Sequence, residues 1–289
     1  MRYPFFALFL VLLFNACVEY QTQYEGPYSD GQSVAVTYEI VFVENGALRM
    51  ANQSLSRVKT LLPSSNISKA SINYRHDRIA YKTATGNIFV VDTAGTAIAT
   101  VPNSNNVIWF DWHANNETLY MLNPNNTLSF YGPPIQVATT NLLSRLPGYF
   151  TNNLGIRSVA IKANGTVIVG VSPETFTSEN GVWVLEPNVQ NTRLRTQFNS
   201  AVQIRLSALD YVGIVIVQRT SASWFPNYLF TEPGNHGLNE LNGNARYMAP
   251  SPTDENEAVG WSPDGENVLY LRKAQRRLSL SGVISDLDW

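Results

Sequence analysis

The chain has 289 residues, 44% of them hydrophobic and 15% charged, with a formal net charge of −2 and a single cysteine. That length is ample for a sizeable buried core. The near-neutral balance argues against a nucleic-acid or anionic-membrane surface, and a lone cysteine excludes an intramolecular disulfide, so the fold must rest on its core.

In chain order, Arg2 is followed by an apolar run to Phe14 and the small residue Ala16. This is the pattern of a secretory signal over residues 1–16, too short for a comfortable membrane span. Leu12-Leu13-Phe14-Asn15-Ala16-Cys17 resembles the bacterial lipobox, in which the signal is cut before a cysteine that carries lipid. Ala16 fits the small residue before the cut, whereas Phe14 stands where leucine is usual, with Leu13 adjacent. The resemblance implies lipid on Cys17 and a mature chain held at a membrane surface rather than through it. The alternative is an ordinary signal cut near Ala16, with Cys17 incidental. Cleavage would remove Arg2 and take the net charge from −2 to −3. The Asn-x-Ser/Thr triplets at Asn52, Asn66, Asn116, Asn125 and Asn164 read as turn-forming asparagines in a lipoprotein.

Residues 17–33 read as a lipidated, flexible, polar tether rich in tyrosine, and residues 34–289 as one domain. From Val34 onward short β-rich runs alternate with Asn, Gly, Pro and Ser clusters. No helical period is sustained, and Leu142 to Leu146 makes one helical turn at most. The longest apolar run, Tyr211–Val217, is a strand by length and β-branching.

A hairpin recurs along this domain. The sharpest copy runs from Ala258 to Tyr270, with Val259 and Trp261 in alternation, Pro263-Asp264-Gly265 as the turn, and Val268 and Tyr270 on the return strand. Weaker copies lie at 70–81, 108–120 and 158–168, and a degraded one at 206–214. Taking Tyr74, Trp112, Ile161, Leu209 and Trp261 as anchors, the spacings are 38, 49, 48 and 52 residues, the range of propeller blades with loop insertions. A third strand follows each of the first four hairpins, at 86–92, 126–131, 181–185 and 227–231. A fourth, more variable strand follows, as at 96–101.

The domain's two ends complete one another. Residues 37–43 and 46–50 look like later strands of a blade without its opening strand, and 283–289 looks like an opening strand without a blade; Leu287-Asp288-Trp289 echoes Phe110-Asp111-Trp112. Pairing them would close the ring and remove free edges. The expectation is therefore an all-β fold: a single β-propeller of six blades, each a four-stranded antiparallel sheet, closed by pairing of the N- and C-terminal strands. Gln275 to Gly282 is short for the last blade's remaining strands, which leaves five blades open.

Trp261-Ser262-Pro263-Asp264-Gly265 followed by Val268-Leu269-Tyr270 resembles the repeat of TolB-type, WD-like propellers of bacterial envelopes. The resemblance is sharp over the last copy and loose over the others. It implies a ring that serves as a binding platform, with repeat residues that are structural and no catalytic site to carry over.

Chemistry is sparse. His76, His113 and His236 have no partner at metal-ligand spacing, so neither a metal nor a cofactor is expected. His76 and His113 fall at matching turn positions and read as turn residues, with a shared rim role as the alternative. Neither a Gly-x-Ser-x-Gly elbow nor a Gly-rich phosphate loop occurs. The carboxylate pairs Asp254-Glu255 and Asp286/Asp288 read as solvated loops. The insertion at 220–228 places Trp224, Phe225 and Tyr228 together, and clustered aromatics are typical interface anchors. These three are the candidate partner-binding residues, with packing over their own blade as the alternative. The expected protein is an envelope lipoprotein, on the outer membrane by preference, whose propeller binds a protein or glycan partner, touches the membrane through its lipid only and is monomeric outside any complex. The alternative is a propeller-type glycan hydrolase, which would need three or more acidic or Arg side chains converging at the ring's centre.

Overall fold

Short runs of Val, Ile, Leu and aromatic residues, cut by Asn, Asp and Gly turns, leave each segment only enough length for one pass of a sheet. The structure is a computed structural model. It describes residues 36–64, 66–137, 139–146, 154–173, 181–186, 193–197, 202–206, 212–217, 227–231, 239–241, 247–251, 257–262, 267–271 and 273–289.

The strands are β1 (Tyr38–Glu44), β2 (Ala47–Asn52), β3 (Val58–Leu62), β4 (Ile67–Ile72), β5 (Arg78–Thr83), β6 (Ile88–Asp92), β7 (Ala97–Val101), β8 (Trp109–Trp112), β9 (Leu119–Leu122) and β10 (Leu128–Tyr131). A single 3-10 turn, Leu142–Arg145, precedes β11 (Leu154–Ile161), β12 (Val167–Pro173), β13 (Gly181–Leu185) and β14 (Arg193–Gln197). Then come β15 (Val202–Leu206), β16 (Val212–Val217), β17 (Asn227–Thr231), β18 (Asn239–Leu241), β19 (Tyr247–Pro250), β20 (Ala258–Ser262), β21 (Val268–Leu271), β22 (Arg277–Ser279) and β23 (Ile284–Asp288).

Among the described residues these strands form six antiparallel sheets: β23-β1-β2-β3, β4 to β7, β8 to β10, β11 to β14, β15 to β18 and β19 to β22. The ends of the domain pair as the sequence predicts, with Val41 opposite Asp288 and Phe42 opposite Leu287. The first strands β23, β4, β8, β11, β15 and β19 lie against one another in that order, and β19 meets β23. The chain is therefore an all-β, single β-propeller, closed where β23 joins β1 in one sheet.

The core sits between sheets. Ile40 and Phe42 of β1 pack with Val259, Trp261 and Trp289 on one side. Their neighbours Val41 and Val43 pack with Ile67, Ala70, Ile72 and Ile79 on the other. Strand alternation thus feeds one strand into two interfaces. The second and third sheets meet over Val90, Phe110 and Trp112, and the third and fourth over Trp109, Tyr120, Ile161 and Trp183. Full burial of side chains such as Phe42 or Trp261 is worth about 2–3 kcal/mol each.

Four strands per sheet does not hold throughout, because the β8–β10 sheet has three. After Tyr131 the chain turns at Gly132, with φ +118°, where a Cβ would sit 2.3 Å from the Glu117 carbonyl oxygen. Pro133 and Pro134 then lack the N–H a ladder needs. The chain returns to form a bridge between Thr127 and Asn141, a bond from Leu128 N–H to the Thr140 carbonyl and one from Leu142 N–H to the Asn126 carbonyl, but no fourth strand among the described residues.

The repeat is also out of phase with its sharpest copy. The hairpins at β4–β5, β8–β9 and β11–β12 join first and second strands, whereas Trp261 lies on β20, the second strand of its sheet. Its partner across the pair is Leu269. Alternation and turn chemistry mark a hairpin but not its place in a sheet. The true first strand there, β19, is a four-residue segment that carries no such signal. The Pro263–Gly265 turn and the anchor Leu209 lie outside the described residues. The short stretch before β23 holds the three-residue β22.

Candidate functional site: the axial strands and one end of the ring

The inner strands of neighbouring sheets are not paired through their backbones, so their edge N–H groups need other acceptors. Aspartates at every second position of β23 supply them. Asp286 accepts the Ala70 N–H at 3.0 Å, and Asp288 accepts the Ile72 N–H at 3.0 Å. The two strands therefore run parallel, two residues of one against two of the other. On the far side of β4, Asp111 of β8 accepts the Ser71 hydroxyl and the Trp112 N–H, and the Trp112 indole N–H donates to the Ser71 carbonyl at 3.2 Å.

All three carboxylates are buried. Lys69, on β4, brings its ammonium to 3.4 Å from the Asp286 carboxylate and 3.6 Å from the centre of the Trp109 ring. This joins an ion pair to a cation–π contact in a partly desolvated place. Asp286 and Asp288 are thus not on a solvated loop. They clasp β4 from one side while Asp111 holds it from the other. Three acidic side chains do meet β4 here, the number set above as the mark of a hydrolase, but each accepts a hydrogen bond that links strand to strand or holds a strand end. Among the described residues no group of three or more His, Cys, Asp or Glu side chains is placed to hold a metal ion.

The turns that leave the first strands form one end of the ring, and they too are stitched together. Arg75 N–H donates to the Asn116 side-chain oxygen at 2.8 Å, and the Asn73 amide donates to the Asn116 carbonyl at 3.2 Å. His113 is buried, and its Nε2 lies 3.4 Å from the Lys162 carbonyl of the next turn. Lys59 reaches from β3 to the Thr93 carbonyl at 2.6 Å, with its ammonium 4.5 Å from the Tyr38 ring centre. Burial pulls the Lys59 pKa down against the opposing effect of Asp92.

His76 and His113 are not equivalent. The bonds Asn73 N–H to Arg78 and His76 N–H to Asn73 match His113 N–H to Thr118 and Asn116 N–H to His113. His113 therefore corresponds to Asn73, and His76 to Asn116, both of the latter in the left-handed region at φ +55° and +64°. Ile72 rather than Tyr74 takes the place of Trp112. The Nε2 of His76 is buried with no hydrogen-bond partner, and desolvation lowers its pKa although Glu39 and Asp77 oppose the shift.

At the other end of the ring, Glu44 accepts the Gly282 N–H at 2.7 Å and pairs with Arg49, while Asn45 and Val283 exchange two hydrogen bonds. Asn267 accepts the Trp261 indole N–H at 2.8 Å and donates to the carbonyls of Leu280 and Gly282.

Of the residues singled out in the sequence, Cys17, Trp224, Phe225, His236, Asp254 and Glu255 lie outside the described residues. Tyr228 has its backbone in β17, opposite Val215 and Glu240, so it belongs to a strand and not to the loop before it. Sequence reading missed Lys69, Ser71, Asp111, Glu257 and Asn267. The one usable signal was the period-two spacing of Asp286 and Asp288 together with the shared Asp-Trp pair at 111–112 and 288–289.

No family profile and no curated protein matches the chain. Among solved structures it is similar to the crystal structure of the Cps50 (Swd1) β-propeller domain of Myceliophteria thermophila, with a TM-score of 0.51 at 12% identity over 88% of this chain and 86% of that one. At that identity the likeness concerns the fold.

Proposed function

We propose that this protein is a bacterial envelope lipoprotein of TolB-like type, held by lipid at Cys17 on a membrane, with the outer membrane preferred. Its six sheets act as six blades of a platform that binds a protein or glycan partner. Residues 1–16 are the signal, residues 17–33 the tether, and Trp224, Phe225 and Tyr228 belong to the partner-binding surface. The observation that carries the platform reading is the use made of the axial polar side chains. Asp111, Asp286 and Asp288 are committed to holding inner strands together, which makes the ring a rigid support and leaves recognition to its turns. Propeller folds suit protein interaction in general, which agrees with this reading.

The test is a crosslinked pull-down from native membranes, comparing wild type with Cys17→Ala. One protein recovered in near-equal amount, and lost with the anchor, is the expected result. Recovery of no partner would overturn the protein-platform reading and direct attention to glycans at the ring's centre.

A further inference from the structure

Strand alternation sends the side chains of an inner strand toward the sheets on either side, and a bulge re-aims one of them. In β23, β4 and β11 the pairing slips at Ser285, Ser68 and Arg157, which have no counterpart on the neighbouring strand. Just before β8, Ile108 N–H bonds to the Leu122 carbonyl although Leu122 is paired with Trp109, so two residues again face one. Counted from these bulges, the four strands are in phase. Each bulged residue is exposed, and in all four strands the residue before it is buried.

The residues after the bulges make a floor. Asp286, Lys69 and Trp109 hold that position in β23, β4 and β8, and they touch in series: the Lys69 ammonium lies 3.4 Å from the Asp286 carboxylate and 3.6 Å from the Trp109 ring centre. Contact between equivalent positions means that these strands lie level. One step back toward the start of each strand the side chains are exposed. The level above the floor is therefore open to solvent, at the end of the ring where Glu44 meets Gly282. That level carries the 41% exposed side chain of Ile108. The Ser68 hydroxyl is already donated to the Lys82 carbonyl at 3.2 Å, which leaves Ser285 and Arg157 as its donors.

Arg157 has no hydrogen bond or ion pair among the described residues. Its guanidinium lies over Gly155, where a Cβ would sit 3.0 Å from the Arg157 Nε and 3.1 Å from its Cζ. The charged group thus points toward the start of β11 and the open end. The strand beneath is braced: Ile156 N–H donates to the Asn126 side-chain oxygen at 3.3 Å, as Ile67 N–H does to the Gly46 carbonyl at 3.0 Å. A planar fork on a fixed strand suits a carboxylate, which it meets with two parallel bonds. Lys69 is already paired with Asp286, so the level offers one positive charge and would only half neutralise a phosphate. We propose that this axial level is a binding site for an acidic protein segment, with the carboxylate of an aspartate or glutamate on Arg157 and an apolar neighbour of that residue on Ile108. The proposal rests on the reading of the propeller as a platform for a protein, and adds inner-strand side chains to the turns. A uronic acid offers the same carboxylate but surrounds it with hydroxyls, which gain nothing from Ile108.

The test is titration calorimetry of the protein with an acetylated, amidated hexapeptide of alternating aspartate and leucine, with its asparagine counterpart, and with a trimer of glucuronic acid. Wild type is compared with Arg157→Gln, Arg157→Lys, Ile108→Ser and, as a control in the turn at the opposite end of the ring, Arg75→Gln. An exposed ion pair is worth up to about fivefold in affinity, so wild type should prefer the acidic peptide by about that factor at low salt, and by less at high salt. Arg157→Gln should bring the ratio near one, and Arg157→Lys should keep part of it. Ile108→Ser should weaken both peptides and leave their ratio, and Arg75→Gln should behave as wild type. Both arginines are exposed, so the melting temperatures of their variants should match wild type. A ratio near one in wild type, a ratio that survives Arg157→Gln, or an equal loss with Arg75→Gln overturns the proposal. So does tighter binding of the sugar trimer than of the acidic peptide, because the site would then serve a glycan. The platform reading is judged separately. A protein partner crosslinked equally by wild type and Arg157→Gln would remove the axial site and leave the platform, whereas failure to recover any partner would sink the platform without altering the peptide ratio.

Discussion

Asp286→Ala should weaken the whole ring. The carboxylate of Asp286 meets the Ala70 N–H at 3.0 Å and the Lys69 ammonium at 3.4 Å, and the side chains of Lys69 and Asp286 are only 12% and 4% exposed. Removing it leaves one buried backbone donor unsatisfied, at about 1–3 kcal/mol. It also leaves a largely buried cation without its counter-charge, a loss that reaches about 3–5 kcal/mol for fully buried pairs. Lys69 keeps its contact with the Trp109 ring and some access to water, so the charge contribution is discounted to about 1 kcal/mol, and with a middle value for the backbone donor the expected cost is about 3 kcal/mol. For a domain of this size that is a fall in Tm of about 6–12 °C. Denaturant titration followed by tryptophan fluorescence gives the free energy, and a thermal melt gives the Tm. Lys69→Met supplies the control: it retains the stem over Trp109 and removes the charge, so in the Lys69→Met background the same Asp286→Ala change should cost clearly less. A single Asp286→Ala mutant within about 0.5 kcal/mol of wild type, or a double-mutant cycle without coupling, would refute the idea that this pair holds β4 to β23.

Two other perturbations probe different links. Asn267→Ala removes the acceptor of the buried Trp261 indole and two donors to the chain entering β23, and places alanine at φ +49°; the expected loss is about 2–4 kcal/mol by equilibrium unfolding. Asn267→Gly, which relieves the φ strain only, should lose somewhat less, and the absence of any loss would show the indole contact to be idle. The second concerns pH. Burial lowers the folded-state pKa of His76, so folding favours its neutral form, and the unfolded chain takes up the proton first as the pH falls through about 6.5. Its contribution is therefore held above that pH and lost below it, down through the folded-state value. His76→Asn, which tolerates the left-handed turn, should flatten the fall in Tm between about pH 7 and 5; identical pH profiles for the two proteins would count against the desolvation argument.

Much of the fold was legible because it depends on short-range chemistry. Strand length, alternation and Asn/Asp/Gly turns mark β4–β5, β8–β9 and β11–β12, and the unmatched ends at 37–50 and 283–289 pointed to the pairing of β1 with β23. The phase of the last copy was not legible, since the same hairpin signal serves first-to-second and second-to-third strands alike. Nor was the missing fourth strand after β10, because the sequence reading allowed a fourth strand to vary without asking what Pro133 and Pro134 forbid. The register of His76 against His113 failed for a related reason: the turns share backbone hydrogen bonds and not residue types, so Asn73 and Asn116 were the true counterparts.

The axial clasp was the hardest part to read, and the physics explains why. Asp286 and Asp288 act on N–H groups 216 residues away in sequence, and they act on backbone, which every non-proline residue offers equally. Nothing at Ala70 or Ile72 announces that its N–H will need a carboxylate; the need arises only when the ring places an unpaired strand edge beside β23. A carboxylate at every second position of an apolar strand is therefore ambiguous by sequence. It reads as a solvated loop if the strand is exposed, and as a strand-to-strand acceptor if the strand is inner. Ring closure decides between them, because it buries β23 and leaves those carboxylates no better partner than β4. The functional consequence follows from the same step: the hold on β4 comes from side chains of β23 and β8 and not from the turns at the ring's ends.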